Sequence, residues 1–161
     1  MQGTIVQINI SPGGLPKRPV TEGLVNQLGI EGDAHAHPAI HGGPRKAILL
    51  IAAEVIDELV ARGYPLFYGA LGENLTTRGV AIRELRIGDR LQAGGALLEI
   101  TQPRGPCSAL DVYGAKLKEA IYDALVKAHN PDSQRWAMSG LYARVLESGP
   151  VRTNDRILSY R

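Results

Sequence analysis

The sequence predicts a mostly β fold with added helices: a β-barrel or strongly bent sheet that closes fully or in part. Three observations carry this. Short apolar runs recur along all 161 residues, punctuated by 19 glycines and 10 prolines that are dispersed as turn residues. The runs do not alternate regularly with helices, which disfavours a doubly wound parallel sheet. No linker or low-complexity tract interrupts the chain, and its length suits a single domain over residues 1–161.

The elements follow in chain order. Gly3 to Ile10 reads as a first strand, ended by Ser11-Pro12-Gly13-Gly14. Val20 to Leu28 reads as a second strand interrupted by Gly23. Gly29 to Arg45 is polar and holds three of the four histidines, and so long a stretch without periodicity is usually functional. Lys46 to Ile51 predicts a buried strand. Ala52 to Arg62 predicts a helix, with Ala52, Val55, Ile56, Leu59 and Val60 on the helical period and Gly63 past its end. Glu73 to Thr77 predicts a short strand. Gly88 to Ala93 and Ala96 to Thr101 predict hairpin arms around Gly94-Gly95, and Leu141 to Glu147 with Arg156 to Tyr160 predict two further arms. Gly88-Asp89-Arg90-Leu91 and Asn154-Asp155-Arg156-Ile157 echo each other, which points to shared turn chemistry. Lys116 to Lys127 predicts the clearest helix, with Leu117, Ile121, Ala124 and Ala128 on one stripe and Asn130-Pro131 as its stop.

Composition narrows the function. A net charge of +2, one Trp and one Phe argue against a nucleic-acid polymer as partner. The longest apolar run, Ala47 to Ala53, is too short for a membrane span, and the start lacks the pattern of a signal peptide. One cysteine excludes an intrachain disulfide, so a cytoplasmic, reducing setting with no membrane partner is expected.

That cysteine, Cys107, ends the run Gln102-Pro103-Arg104-Gly105-Pro106-Cys107. The prolines make a stiff, non-helical approach. A thiol at the start of the next helix, with Arg104 close in sequence, would be favoured as thiolate. The plain alternative is a buried thiol acting as a small hydrophobe. Among the histidines, His35, His37 and His41 could supply metal nitrogens with Asp33, but Pro38 rules out a regular helix there, and surface histidines are the simpler expectation. His41-Gly42-Gly43-Pro44-Arg45-Lys46 could line an anion with backbone N–H groups, or be a turn entering a strand. Gly72-Glu73-Asn74-Leu75-Thr76-Thr77 offers a carboxylate, an amide and hydroxyls that could hold a heterocycle or close a turn. A cysteine nucleophile would need His35 or His41 beside Cys107.

Taken in order, Pro16-Lys17, Gly29-Ile30-Glu31-Gly32-Asp33, His41-Gly42-Gly43, Gly72-Glu73-Asn74-Leu75-Thr76, Ile87-Gly88-Asp89-Arg90, Gln102 to Cys107 and Gly140 to Leu146 resemble the MOSC domain family, the C-terminal domain of molybdenum cofactor sulfurase, in its stand-alone bacterial form. The resemblance implies a barrel like the pyruvate kinase β-barrel domain and a bound molybdenum cofactor (molybdopterin). It implies Cys107 as metal ligand and catalytic residue. Arg104, His41, Glu73, Asn74, Thr76 and Lys17 would bind the cofactor. The activity implied is reduction of small N-hydroxylated compounds, fed by an external electron-transfer reductase, since one cysteine cannot hold an iron–sulfur cluster. The alternatives are a sulfur or cofactor carrier using a Cys107 persulfide or thiolate, and a non-enzymatic member with a buried cysteine. A homodimer is an open expectation.

Overall fold

The computed structural model describes residues 1–34 and 42–160. Its strands are β1 (Gln2–Ile10), β2 (Arg18–Val20), β3 (Glu22–Asn26), β4 (Gly29–Ile30), β5 (Ile48–Ala52), β6 (Leu75–Arg78), β7 (Arg90–Ala93), β8 (Ala96–Pro103), β9 (Leu141–Glu147), β10 (Gly149–Arg152) and β11 (Arg156–Tyr160). The α-helices are α1 (Ala53–Ala61), α2 (Leu117–Ile121) and α3 (Ala124–Lys127), with short 3₁₀ turns at Pro44–Lys46, Ile82–Glu84 and Ser108–Tyr113.

Seven strands close a barrel in the order β1-β11-β7-β8-β9-β5-β6 and back to β1. An odd ring cannot be antiparallel throughout. The exception is β5 with β6, which run parallel, Leu50 opposite Leu75 and Ala52 opposite Thr77. Parallel neighbours need a crossover, and α1 lies in this one. β1 is the keystone: it pairs with β11 through Gln2–Thr4, with β6 through Thr4–Ile8 and with β2 through Ile8–Ile10. The β1–β6 register shifts between Ile5 and Gln7, a bulge of the kind that bends a strand around a barrel. β3, β4 and β10 form a small second sheet.

β5 is buried at every position because it sits between β9 and β6 with cover on both faces. Ile5, Ile8, Leu50, Leu75, Leu98, Ile100, Leu141 and Ile157 belong to one core cluster. Across the outside, α1 buries Ala53, Val55, Ile56 and Leu59. Val60 is exposed, so the apolar stripe of α1 is narrower than its sequence suggests.

Three expectations need correction. The helix expected over 116–127 is broken: Tyr122 and Asp123 are extended, and Asp123 caps α3 by accepting from Val126 N–H at 2.9 Å. A short polar side chain that caps one turn competes with continuation of the turn before it. The strand expected over 20–28 splits at Thr21 between two sheets, and Gln27–Leu28 turn the chain into β4. Finally, β9 and β11 are not partners: β9 lies between β8 and β5, β11 between β7 and β1, and β10 intervenes. Alternation reveals a strand, but its partner is chosen by the core. The echoed turns, by contrast, match in detail. Asp89 Oδ2 accepts from Arg86 N–H and Asp155 Oδ2 from Arg152 N–H, both at 2.8 Å, just before β7 and β11. Asn154 adopts φ 76°, the left-handed conformation that Gly88 has at φ 94°.

Candidate functional site

Cys107 stands where β8 has ended and the 3₁₀ turn Ser108–Tyr113 begins, as the extended residue before that turn (φ −109°, ψ 172°). The thiol is half-buried. The proline-bracketed approach is non-helical as expected, but six residues of 3₁₀ helix provide little of the dipole expected from an α-helix.

Arg104 is almost wholly buried on the same loop and held from three sides. Its N–H donates to Gly140 O at 2.9 Å, its Nε to Ser139 O at 2.9 Å and its Nη2 to Leu71 O at 2.6 Å. Burial draws its pKa down, opposed by the nearby Tyr142, Glu73 and Cys107. Gly140 must approach closely for this arrangement: a Cβ there would lie 2.8 Å from Leu49 Cδ1, and its φ is 100°.

Glu73 is fully buried. Thr76 donates from Oγ1 to its Oε2 at 3.1 Å, and Asn9 Nδ2 donates to that hydroxyl at 3.1 Å. Gln7 Nε2 in turn donates to Asn9 Oδ1 at 2.7 Å, so a chain of donors runs inward and ends on one carboxyl oxygen. The other, Oε1, is buried and has no hydrogen-bond partner among the described residues. Burial pushes Glu73 above the usual carboxylate range against the amides of Gly69 and Glu73, the Thr76 hydroxyl and Arg104. Tyr142 and Tyr113 share this neighbourhood. Burial raises both; Cys107 and Arg104 act on Tyr142, and Glu73 and Arg18 act on Tyr113.

Lys17 and Asn74 meet at a different group. Lys17 Nζ donates to both oxygens of Asp33 at 2.6 and 2.8 Å, and Asn74 Nδ2 donates to Asp33 Oδ2 at 2.8 Å. The Asn74 carbonyl accepts from Leu49 N–H at 3.1 Å. The network ties the chain beyond β4 to β5 and to the turn that carries Glu73. The structure thus brings Cys107, Arg104 and Glu73 into one electrostatic group, with Thr76 behind Glu73 and Lys17 and Asn74 bracing the same turn through Asp33. His41, His35 and His37 lie outside the described residues. Among the described residues no three His, Cys, Asp or Glu side chains form a metal-binding group.

Tyr113, Tyr142 and Ser139 were not foreseen as site residues. In sequence Tyr142 reads as a strand aromatic, and nothing local marks Ser139, whose buried Oγ also lacks a partner. The donor set fits a molybdenum cofactor: a soft sulfur for the metal, a buried cation for a phosphate, and unpartnered oxygens beside that cation to complete its hydrogen bonding.

Comparison with known proteins agrees with this picture. Residues 37–158 match the MOSC domain model. The Bacillus subtilis protein YflK is 35% identical over 142 residues, covering 86% of this chain and 59% of its own length. A protein named Reductase from Gibberella moniliformis is 31% identical over 137 residues, covering 80% of this chain and 22% of its own. The chain therefore spans only part of the curated relatives it matches. The crystal structure of YiiM from Geobacillus stearothermophilus superposes with a TM-score of 0.73 at 28% identity, over 99% of this chain and 75% of that one. No helix among the described residues is long and apolar enough to cross a membrane. The chain belongs to the MOSC domain family.

Proposed function

We propose that the protein is a molybdenum-cofactor oxidoreductase that reduces N-hydroxylated compounds, such as hydroxylamino bases and amidoximes, with electrons from an external electron-transfer reductase. The observation that carries this is Cys107, a half-buried sulfur at the end of a stiff loop that also holds the buried Arg104. The family is associated with molybdenum cofactor, and one relative bears the name Reductase.

When bound, the cofactor supplies the two-electron chemistry at its metal. Cys107 Sγ is the protein's ligand to that metal. Arg104 has Nε and Nη2 tied to carbonyls, which orients the guanidinium and leaves Nη1 for the cofactor's phosphate. Glu73 presents Oε1 to the bound group, and Thr76 fixes the opposite oxygen. Lys17 and Asn74 hold the turn around Glu73 through Asp33. Conversion of an N–OH group to N–H consumes two electrons and two protons and releases water.

The test is turnover. Protein made in a cofactor-producing host should reduce a hydroxylaminopurine or an amidoxime with an artificial electron donor, and Cys107→Ala should lower the rate at least a hundredfold. Full activity in that variant would refute the assignment. A persulfide on Cys107 with no reductase turnover would instead favour a sulfur carrier.

A further inference from the structure

The described site contains two buried groups that the fold leaves electrically unfinished. Arg104 is a buried guanidinium whose described bonds go to the neutral carbonyls of Ser139 and Leu71. No ion pair involves it among the described residues. A buried charge without a counter-charge is strongly disfavoured. Glu73, only two residues beyond one of those carbonyls, is fully buried; among the described residues it forms no ion pair either, and its Oε1 has no partner. Had Glu73 been the counter-ion, fork-to-carboxylate geometry would be expected. The Thr76 donor addresses Oε2 instead.

We propose that Glu73 is held as a neutral carboxylic acid, with its proton on Oε1, so that the charge of Arg104 stays available to an anionic ligand and Oε1–H adds a second donor to it. The ligand class is a phosphate-like dianion, as on a phosphorylated pterin, and this builds on the cofactor function proposed above. An ionised Glu73 would cancel the cation and repel the ligand. The charged and titratable groups around it are Arg104, with Cys107 and Tyr142 beyond it, and Tyr113 with Arg18. Burial favours the neutral form of Glu73, in keeping with this state.

The test uses the full chain without cofactor and needs no turnover. Glutamate labelled with ¹³C at the side-chain carboxyl is followed by infrared spectroscopy at pH 7, and wild type is compared with Glu73→Gln. A protonated-carboxyl band that is lost in the variant is expected; an ionised Glu73 at pH 7 overturns the proposal. Should Glu73→Gln not fold, Thr76→Val removes the donor to Oε2 and assigns the band by its shift.

Sulfate, a dianion across the pH range, is the binding probe. Wild-type affinity should fall about tenfold per pH unit above the Glu73 midpoint, as one linked proton requires. Glu73→Gln should still bind, with that dependence abolished, and Arg104→Gln should not bind. Equal pH dependence in wild type and Glu73→Gln, or no sulfate binding at any pH, overturns the proposal. A molybdenum-loaded protein without reductase activity would contradict the proposed function and leave this result untouched.

Discussion

Asp33 accepts from Ser11 N–H at 2.9 Å, from Lys17 Nζ and from Asn74 Nδ2, and so gathers three separate stretches of chain at one carboxylate. Lys17 and Asp33 are both almost fully buried. Removing one member strands the other as an unpaired buried charge. Asp33→Ala is therefore expected to lower the unfolding free energy by about 3–5 kcal/mol, measured by urea denaturation; a loss below about 1 kcal/mol would show the pair to be hydrated. In sequence Asp33 reads as a turn residue, and it does close a turn, its N–H donating to Ile30 O at 3.0 Å. Its larger role was invisible because its partners lie 16 and 41 positions away. Glu73 gives a second prediction. Its folded pKa lies above the ordinary carboxylate value, so between the unfolded and folded pKa values the folded chain binds more protons. Its contribution to stability is fully present below the unfolded value, falls as pH rises through that window, and is lost above the folded value. Glu73→Gln removes this loss, so its melting temperature relative to wild type should rise with pH across the window. A flat difference in thermal melts from pH 4 to pH 9 would contradict that account of burial.

The loop after β8 shows what can and cannot be read from an element's sequence. The prolines at 103 and 106 disclosed a rigid, non-helical approach to Cys107, and the structure has one. What the sequence could not show is that the loop is clasped by residues 139–140 and by Leu71, which carry the carbonyls that hold Arg104. Gly140 has φ 100°, and an added Cβ would meet Leu49, Ile51 and the Leu50 carbonyl within 3.1 Å. Gly140→Ala should destabilise the fold by about 1–3 kcal/mol and weaken molybdenum retention, because the same shift moves the carbonyl that anchors Arg104. Chemical denaturation and metal analysis check the two parts. The broken helix at 122–123 carries the opposite lesson. Its apolar stripe holds only before the break: Leu117 and Ile121 are buried, whereas Ala124 and Ala128 are exposed and Val126 is buried in their place. The local choice of Asp123 to cap a new turn, and to accept from Ser133 Oγ at 2.7 Å, overrode the period.

At the scale of the whole molecule, strand content and barrel class were legible because turn residues and short apolar runs are local signals. Ring order was not, because β1 pairs with strands near the end of the chain and near its middle. One parallel pairing, made possible by the α1 crossover, lets seven strands close. Closure brings the turn before β6, the loop after β8 and the start of β9 together: Arg104 bonds the carbonyls of Leu71 and Ser139, and Glu73, Cys107 and Tyr142 act on its charge. The ordered motifs marked these segments individually, and the barrel explains why they belong together. The most direct test of that account is the molybdenum-to-protein ratio of wild-type chain and Cys107→Ser, both purified from a cofactor-producing host and shown by circular dichroism to be folded. The account predicts near-stoichiometric molybdenum in wild type and at least a tenfold loss in the variant; equal molybdenum in both, or none in wild type, would contradict it.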